Sequence, residues 1–336
     1  ALQNGADVVI EMPTAVSCQS TDRFAKGAVE ILQKVGCHYL AFGCEGGDEA
    51  FFEAAVSQRQ AIEKEISRFV EENRSLTFAS QLTQLAIKKF GEESALVEAL
   101  QSPNQQLGLA YALENAKGEH PMQIVPITRV GSGHLDDALE ETAFASGTAL
   151  RKALKDNRDD QVLRAQLSYV RLDEEEYQND WSSYWPLLKS IILRSTDEEM
   201  RAIYQMEEGI ENRLKEVIRT TSSIEECLKQ LKNKRWSWAR LQRLLVYVLL
   251  GVTKDEIEGY WSRPIEQGTV LGFTSKGQEW LKRMREVESF QLITNYAAYK
   301  DERQESWDLL YDYWNPSKQI SATVFKPIQV NKEESF

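Results

Sequence analysis

The run Ala6-Asp-Val-Val-Ile-Glu-Met12, closed by Gly5 on one side and Pro13 on the other, constrains this chain more than any other feature. Such a compact β-branched run has the profile of a buried parallel strand. A helical stretch over residues 20–34 follows, with Phe24, Ala28, Ile31 and Leu32 on one side and Gly36 closing it. His38-Tyr-Leu-Ala-Phe42 then reads as the next strand, broken by Gly43. Strand, helix and strand at this spacing predict a βαβ unit and an α/β fold.

Downstream, residues 51–72, 76–90 and 92–101 read as helices. Another begins at Ser102-Pro103, with serine at the N-cap and proline at the first helical position, and stops at Gly118. Residues 122–130 predict a third strand, which tolerates Pro126 only at an edge or a bulge. Gly131 and Gly133 then lead to a second capped helix start at Ser146. After about Asp156 the character changes. Amphipathic helices are expected over 181–193, 198–219, 223–231 and 239–250, then at 276–285 and 301–314. Short strands are expected at 269–273, 290–294 and 322–330. At 336 residues the chain is long enough for two cores, divided here as an α/β domain over 1–155 and a mainly helical domain over 156–336.

The longest purely apolar run, Leu244 to Leu250, falls far short of the ~20 residues of a membrane helix. Without a signal peptide, a cytoplasmic address is the expectation. Cys18, Cys37, Cys44 and Cys227 form neither a disulfide framework nor CxxC pairs, and His38, His120 and His134 are too scattered for a metal cluster. A net charge of −12 speaks against nucleic acid as a partner unless positive charge is gathered locally.

In open α/β sheets ligands bind beyond the carboxyl ends of the strands. The second strand ends at Gly43-Cys-Glu-Gly-Gly-Asp48, whose glycines let backbone approach a flat ligand; a tight turn before a helix explains them equally. The helix starts at Ser102-Pro-Asn104 and Ser146-Gly-Thr148 are phosphate sites in form, with Arg151 one turn inside the second. Plain capping is the ordinary reading of each, and a solvated or ion-paired side chain is the ordinary reading of Arg129 at the end of the third strand. One local gathering of charge stands out. Lys229, Lys232, Lys234, Arg235, Arg240 and Arg243 enclose Trp236 and Trp238 with no acidic residue between. Such a segment suits RNA phosphates and bases, or else is a solvated turn whose tryptophans pack inward.

These residues carry a resemblance. Gly5-Ala-Asp-Val-Val-Ile-Glu-Met-Pro13, Phe24-Ala-Lys-Gly27 and Phe42-Gly-Cys-Glu45 with Gly47-Asp48 resemble the tRNA(Met) cytidine acetate ligases. Further along, Ser102-Pro-Asn-Gln-Gln-Leu-Gly108, Ile127-Thr-Arg-Val-Gly131 and Ala145-Ser-Gly-Thr-Ala-Leu-Arg151 are similar to that family's motifs in the same order. So are Glu208-Gly-Ile-Glu-Asn-Arg213 and Lys234-Arg-Trp-Ser-Trp-Ala-Arg240 in the helical half. The resemblance implies a Rossmann-like parallel-sheet nucleotidyltransferase domain followed by a mainly helical C-terminal domain. It implies ATP, with Mg2+, forming acetyl-adenylate from acetate, and acetyl transfer to N4 of the wobble cytidine of elongator tRNA(Met). By position it implies ATP contacts at Gly43, Asn104 and Arg129. Ser146, Thr148 and Arg151 match a second phosphate-proximal motif more loosely, and Lys234, Arg235, Arg240 and Arg243 fall on the tRNA side. No catalytic side chain is assigned, and adenylation calls for no protein nucleophile, only alignment and charge stabilisation.

The departures are specific. The chain opens at Ala1 without methionine, and the family's first strand and HxGH loop, on which activity depends, would precede it. Cys44 stands for serine, Gly147 for alanine, and His134 is displaced by one place. Two alternatives remain at this point: an adenylyltransferase acting on a small metabolite, and a non-catalytic RNA-binding protein.

Overall fold

The computed structural model of the protein describes residues 1–72, 77–129, 149–150, 152–153, 181–286, 290–295, 302–303, 306–307, 310 and 327–330. Strand β1 (Val8–Ile10) leads through the short helix α1 (Thr14–Ser17) into α2 (Thr21–Lys34) and then β2 (Tyr39–Cys44). Helices α3 (Glu49–Ala61), α4 (Glu63–Glu72), α5 (Phe78–Phe90), α6 (Ala95–Ala99) and α7 (Pro103–Asn115) follow before β3 (Gln123–Thr128). The later part holds α8 (Trp181–Arg194), α9 (Asp197–Ala202), α10 (Ile210–Thr220), α11 (Ile224–Leu231), α12 (Trp238–Leu250) and α13 (Lys254–Trp261). It closes with β4 (Gln267–Thr274), α14 (Ser275–Met284), β5 (Gln291–Ile293) and β6 (Ile328–Val330).

Strands β2 and β3 pair in parallel, Tyr39 with Gln123 through Cys44 with Thr128. Alternation along β2 buries Leu40, Phe42 and Cys44 against α3, α6 and α7 and leaves Tyr39, Ala41 and Gly43 exposed. Pro126 sits at an edge of this pair among the described residues, where its missing N–H costs no ladder bond. Helix α7 is set by its ends. The Ser102 hydroxyl accepts the Gln105 backbone N–H, and Pro103 occupies the first turn. At the other end the buried Asn115 amide donates to the Met122 carbonyl at 2.7 Å and accepts its N–H at 2.9 Å, fixing the turn into β3. Gly108 lets α7 lie close on β2, since a Cβ there would come within 2.7 Å of the Phe42 ring.

Helices α2 and α7 lie side by side in the same direction. The Phe24 and Tyr111 rings are 6.5 Å apart, and Gln33 near the end of α2 donates to the Asn115 carbonyl near the end of α7. Both helices therefore begin at the end of the molecule where β2 and β3 terminate.

The predicted βαβ unit is displaced by one step. Strand β1 is half-buried and pairs antiparallel with β4, Val8 opposite Phe273, rather than in parallel with β2. The parallel crossover is β2 through α3–α7 to β3. A β-branched run specifies a strand but says nothing of its partner. Strand β4 is the centre of a mixed sheet, with β1 on one side and β5 and β6 parallel to it on the other. This pairing crosses the boundary expected near residue 155. Lys34 and Glu30 of α2 add to the crossing by bonding the Ile265 carbonyl at 2.6 Å and its N–H at 2.8 Å.

Two predicted helices are each split. Residues 51–72 break at the buried Ile62, and 198–219 break where Gln205, Glu208 and Gly209 take positive φ. The helical half packs α8 to α13 around one apolar core that includes Leu188, Ile192, Leu214, Leu244 and Trp236. Helix α12 is apolar from Leu244 to Leu250, as its central place in that core requires.

Candidate nucleotide site

Register places the first residues of the site. Gly43 is paired within β2, opposite Ile127, so the glycine-rich loop expected from residue 43 begins instead at Glu45. The Arg129 N–H continues the ladder one step past β3 by donating to the Cys44 carbonyl at 2.8 Å. Among the described residues, a Cβ on Gly43 would meet only the Arg129 Cγ, at 3.8 Å. Its backbone thus lies open on the exposed face of the strand.

Glu45 gathers the rest. Its carboxylate accepts from the Ser102 hydroxyl at 2.5 Å and from the Asn104 amide at 2.6 Å, and Arg129 approaches it to 3.9 Å. Partial burial pushes the Glu45 carboxyl up. The Ser102 and Asn104 hydrogen bonds, a backbone N–H and the Arg129 charge outweigh that and hold it below its ordinary value. An ionised carboxylate only accepts, so it fixes the Asn104 side chain with its NH2 inward and its carbonyl Oδ1 presented as an acceptor. Gln105 is buried beside them. Its Nε2 donates to the Gly46 carbonyl at 3.1 Å, while its Oε1 has no hydrogen-bond partner among the described residues.

Gly43, Asn104 and Arg129, drawn from three peptide segments, therefore meet at one place at the carboxyl ends of β2 and β3. The donor set suits a nucleotide. Bare backbone at Gly43 admits a flat ring, Asn104 offers an acceptor to a hydroxyl or amino group, and Arg129 favours negative charge. Phosphate fits the Arg129 side better than the Ser102 side, where the Glu45 carboxylate would repel it. Sequence reasoning passes over Glu45 as a site residue and reads Ser102 as a helix cap that is a phosphate site in form, not as a partner of Glu45. The available signal is one acid among glycines directly after a strand.

Ser146, Thr148 and Arg151 lie outside the described residues. The basic segment is less free than its sequence promises. Lys234 and Arg235 are exposed in the turn between α11 and α12, but Arg235 lies 3.7 Å from Glu208 and Arg240 lies 3.5 Å from Glu207, acids supplied from the break before α10. Trp236 is core, 3% exposed, with the Arg240 guanidinium 3.9 Å from its ring centre, and Trp238 packs against the same core. The inward reading of the tryptophans holds. Arg243 is half-buried, and its Nε has no hydrogen-bond partner among the described residues. Among the described residues no three His, Cys, Asp or Glu gather to hold a metal, and no helix is long and apolar enough to cross a membrane.

Comparison with known proteins adds an independent line. The HIGH Nucleotidyl Transferase family model matches residues 1–333. The chain is 32% identical over 298 residues to the tRNA(Met) cytidine acetate ligase of Lactobacillus gasseri, an alignment spanning 88% of this chain and 74% of that protein. To the tRNA(Met) cytidine acetate ligase of Latilactobacillus sakei it is 33% identical over 309 residues, spanning 89% and 74%. Among solved structures, apo Thermotoga maritima TmcAL matches with a TM-score of 0.83 at 23% identity, over 98% of this chain and 86% of that one. The same protein bound with alpha-thio ATP matches at 0.82 and 22%, with the same coverage. At those identities the structural likeness speaks for the fold.

Proposed function

Because the chain belongs to the tRNA(Met) cytidine acetate ligase family of HIGH nucleotidyl transferases, we propose that it uses ATP to activate acetate and acetylates N4 of the wobble cytidine of elongator tRNA(Met). The observation that carries this reading within the molecule is the meeting of Gly43, Asn104 and Arg129 around Glu45. Gly43, Asn104 and Arg129 are the ATP contacts in this reading, with Glu45 and Ser102 holding them in place. Ser146, Thr148 and Arg151 serve as a second phosphate-proximal group. Residues 1–155 form the nucleotide-binding part, and the mainly helical 156–336 carries the tRNA side, including Lys234, Arg235, Arg240 and Arg243. Mg2+ accompanies the ATP phosphates, and the enzyme acts in the cytoplasm on its tRNA.

The chemistry matches what these residues supply. Acetate is a poor acyl donor because its leaving group would be oxide. Attack of an acetate oxygen on the α-phosphorus of ATP expels pyrophosphate and leaves a mixed anhydride, from which N4 of cytidine displaces AMP. Neither step needs a protein nucleophile. Both need phosphate charge balanced and reactants aligned, the work of Arg129 and the Glu45-held Asn104. The test is acetylation of tRNA(Met) with ATP and acetate, read as N4-acetylcytidine by mass spectrometry. Loss of product on omitting either ATP or acetate is expected; no product with both present would overturn the reading.

A further inference from the structure

A second cluster lies where α2 meets the helical half, and the nucleotide site makes no use of it. The Arg23 guanidinium donates to the Tyr204 hydroxyl at 2.9 Å and lies 5.8 Å from the Tyr204 ring centre and 5.7 Å from that of Trp261. The exposed Lys26 ammonium is 5.3 Å from the Trp261 ring. The Tyr204 and Tyr247 rings meet at 5.0 Å, and Tyr247 ties the junction to the Cys18 carbonyl. Burial pushes the Tyr247 phenol well up and Tyr204 adds to this, against the pull of the Arg243 and Arg23 charges.

Two properties separate this cluster from a structural ion-pair network. Arg23, Lys26 and Arg243 have no carboxylate within salt-bridge distance among the described residues, in a chain of net charge −12. Aromatic faces hold Arg23 and Lys26 instead, which orients a cation without neutralising it and leaves its N–H groups for another acceptor. Around them, three buried donors lack an acceptor among the described residues: Nε2 of Gln19, which is 6% exposed, Nε1 of Trp261 and Nε of Arg243. The Gln19 Oε1 is taken by the Tyr204 hydroxyl, so its amide turns the unmatched donor away from that bond. Unneutralised cations together with unmatched donors call for a ligand made of acceptors and negative charge. Because α2 begins at the same end of the molecule as α7, the cluster stands on the side where β2 and β3 terminate, beside the nucleotide site rather than behind it.

We propose that Arg23, Lys26 and Arg243, with Gln19 and Trp261, form a phosphate-docking surface for the backbone of the RNA substrate, continuing the basic segment of α12 across to α2. The identity of the polyanion rests on the tRNA reading above. The surface positions the strand and leaves base recognition to other groups.

The experiment is fluorescence anisotropy of a short labelled RNA hairpin carrying the tRNA(Met) anticodon loop, titrated with the protein over a range of salt. Lys26→Gln and Arg23→Gln should each weaken binding by about 3- to 10-fold and lower the log Kd against log salt slope by roughly 0.9 for each phosphate that is no longer neutralised. ATP affinity by calorimetry should stay unchanged, and Lys64→Gln, an exposed cation on α4, should bind as wild type. Lys26 is exposed and bonds to nothing in the core, so its replacement leaves folding intact even if Arg23→Gln loosens the junction. If both variants keep wild-type affinity and slope, the surface is not used and the tRNA reading stands. If the wild-type protein binds no hairpin at any salt, both fall.

Discussion

Asn104 and Glu45 stand 59 residues apart in the chain, and the Asn104 amide donates to the Glu45 carboxylate at 2.6 Å. This bond joins the start of α7 to the end of β2 and fixes which face the Asn104 amide offers a ligand. In the proposed site the carboxylate would act as a template, with the contacts to ATP assigned to Gly43, Asn104 and Arg129.

Glu45→Ala should therefore weaken ATP binding although Glu45 acts only by holding Ser102 and Asn104. Removing the acceptor frees the Ser102 and Asn104 side chains to rotate, and a loss of about 10-fold in affinity is expected for one charge-assisted hydrogen bond that orients a ligand group. Calorimetric titration with ATP checks it. Unchanged affinity would remove Glu45 from the site.

The same carboxylate predicts an acid limb in stability. Its folded pKa is depressed, by the Ser102 and Asn104 bonds and the Arg129 charge against desolvation. Its contribution is thus fully present above the unfolded value, about 4.3, and is lost as pH falls through the lower folded value. The difference in Tm between wild type and Glu45→Gln should be constant near neutral pH and shrink on acidification below that value. A difference that grows towards acid pH would contradict the sign.

Two glycines separate binding from packing. Among the described residues Gly43→Ala meets only the Arg129 Cγ at 3.8 Å, so stability should change by less than about 1 kcal/mol while ATP affinity falls. Gly108→Ala places a Cβ 2.7 Å from the Phe42 ring and 2.9 Å from that of Phe52, so it should cost about 1–3 kcal/mol in urea unfolding. Equal behaviour of the two variants in both measurements would defeat this division.

Within the basic segment, Trp236→Ala should destabilise the helical half by about 3–5 kcal/mol, because the side chain is core rather than a stacking platform. Lys234→Ala, in the exposed turn, should leave urea unfolding unchanged and weaken RNA binding in a salt-dependent way. A stable Trp236→Ala protein with lost RNA affinity would reverse the assignment.

The strands and the Ser102 cap are legible in the sequence because each depends on local chemistry, whereas the grouping of Gly43 with Arg129 is implied by the family resemblance. β-branched composition makes a strand, and serine and proline open a helix. What sequence reasoning misses depends on partners. Nothing local to Val8–Ile10 names Phe273 as its neighbour. Nothing in residues 234–243 announces Glu207 and Glu208, which arrive from another helix start. The Arg23–Tyr204–Trp261 junction is illegible for the same reason, since its members come from three distant segments and only packing assembles them.

The long-range zipper of Val8 to Phe273 bears on how the protein is made. A ribosome adding 5–20 residues each second needs roughly 15–50 s to carry the nascent chain from the first of these residues to the second. Throughout that interval the early strand waits with an unpaired edge, open to other polypeptides. Translation speed and chaperone supply, more than final stability, should then govern the yield of intact protein in the cell.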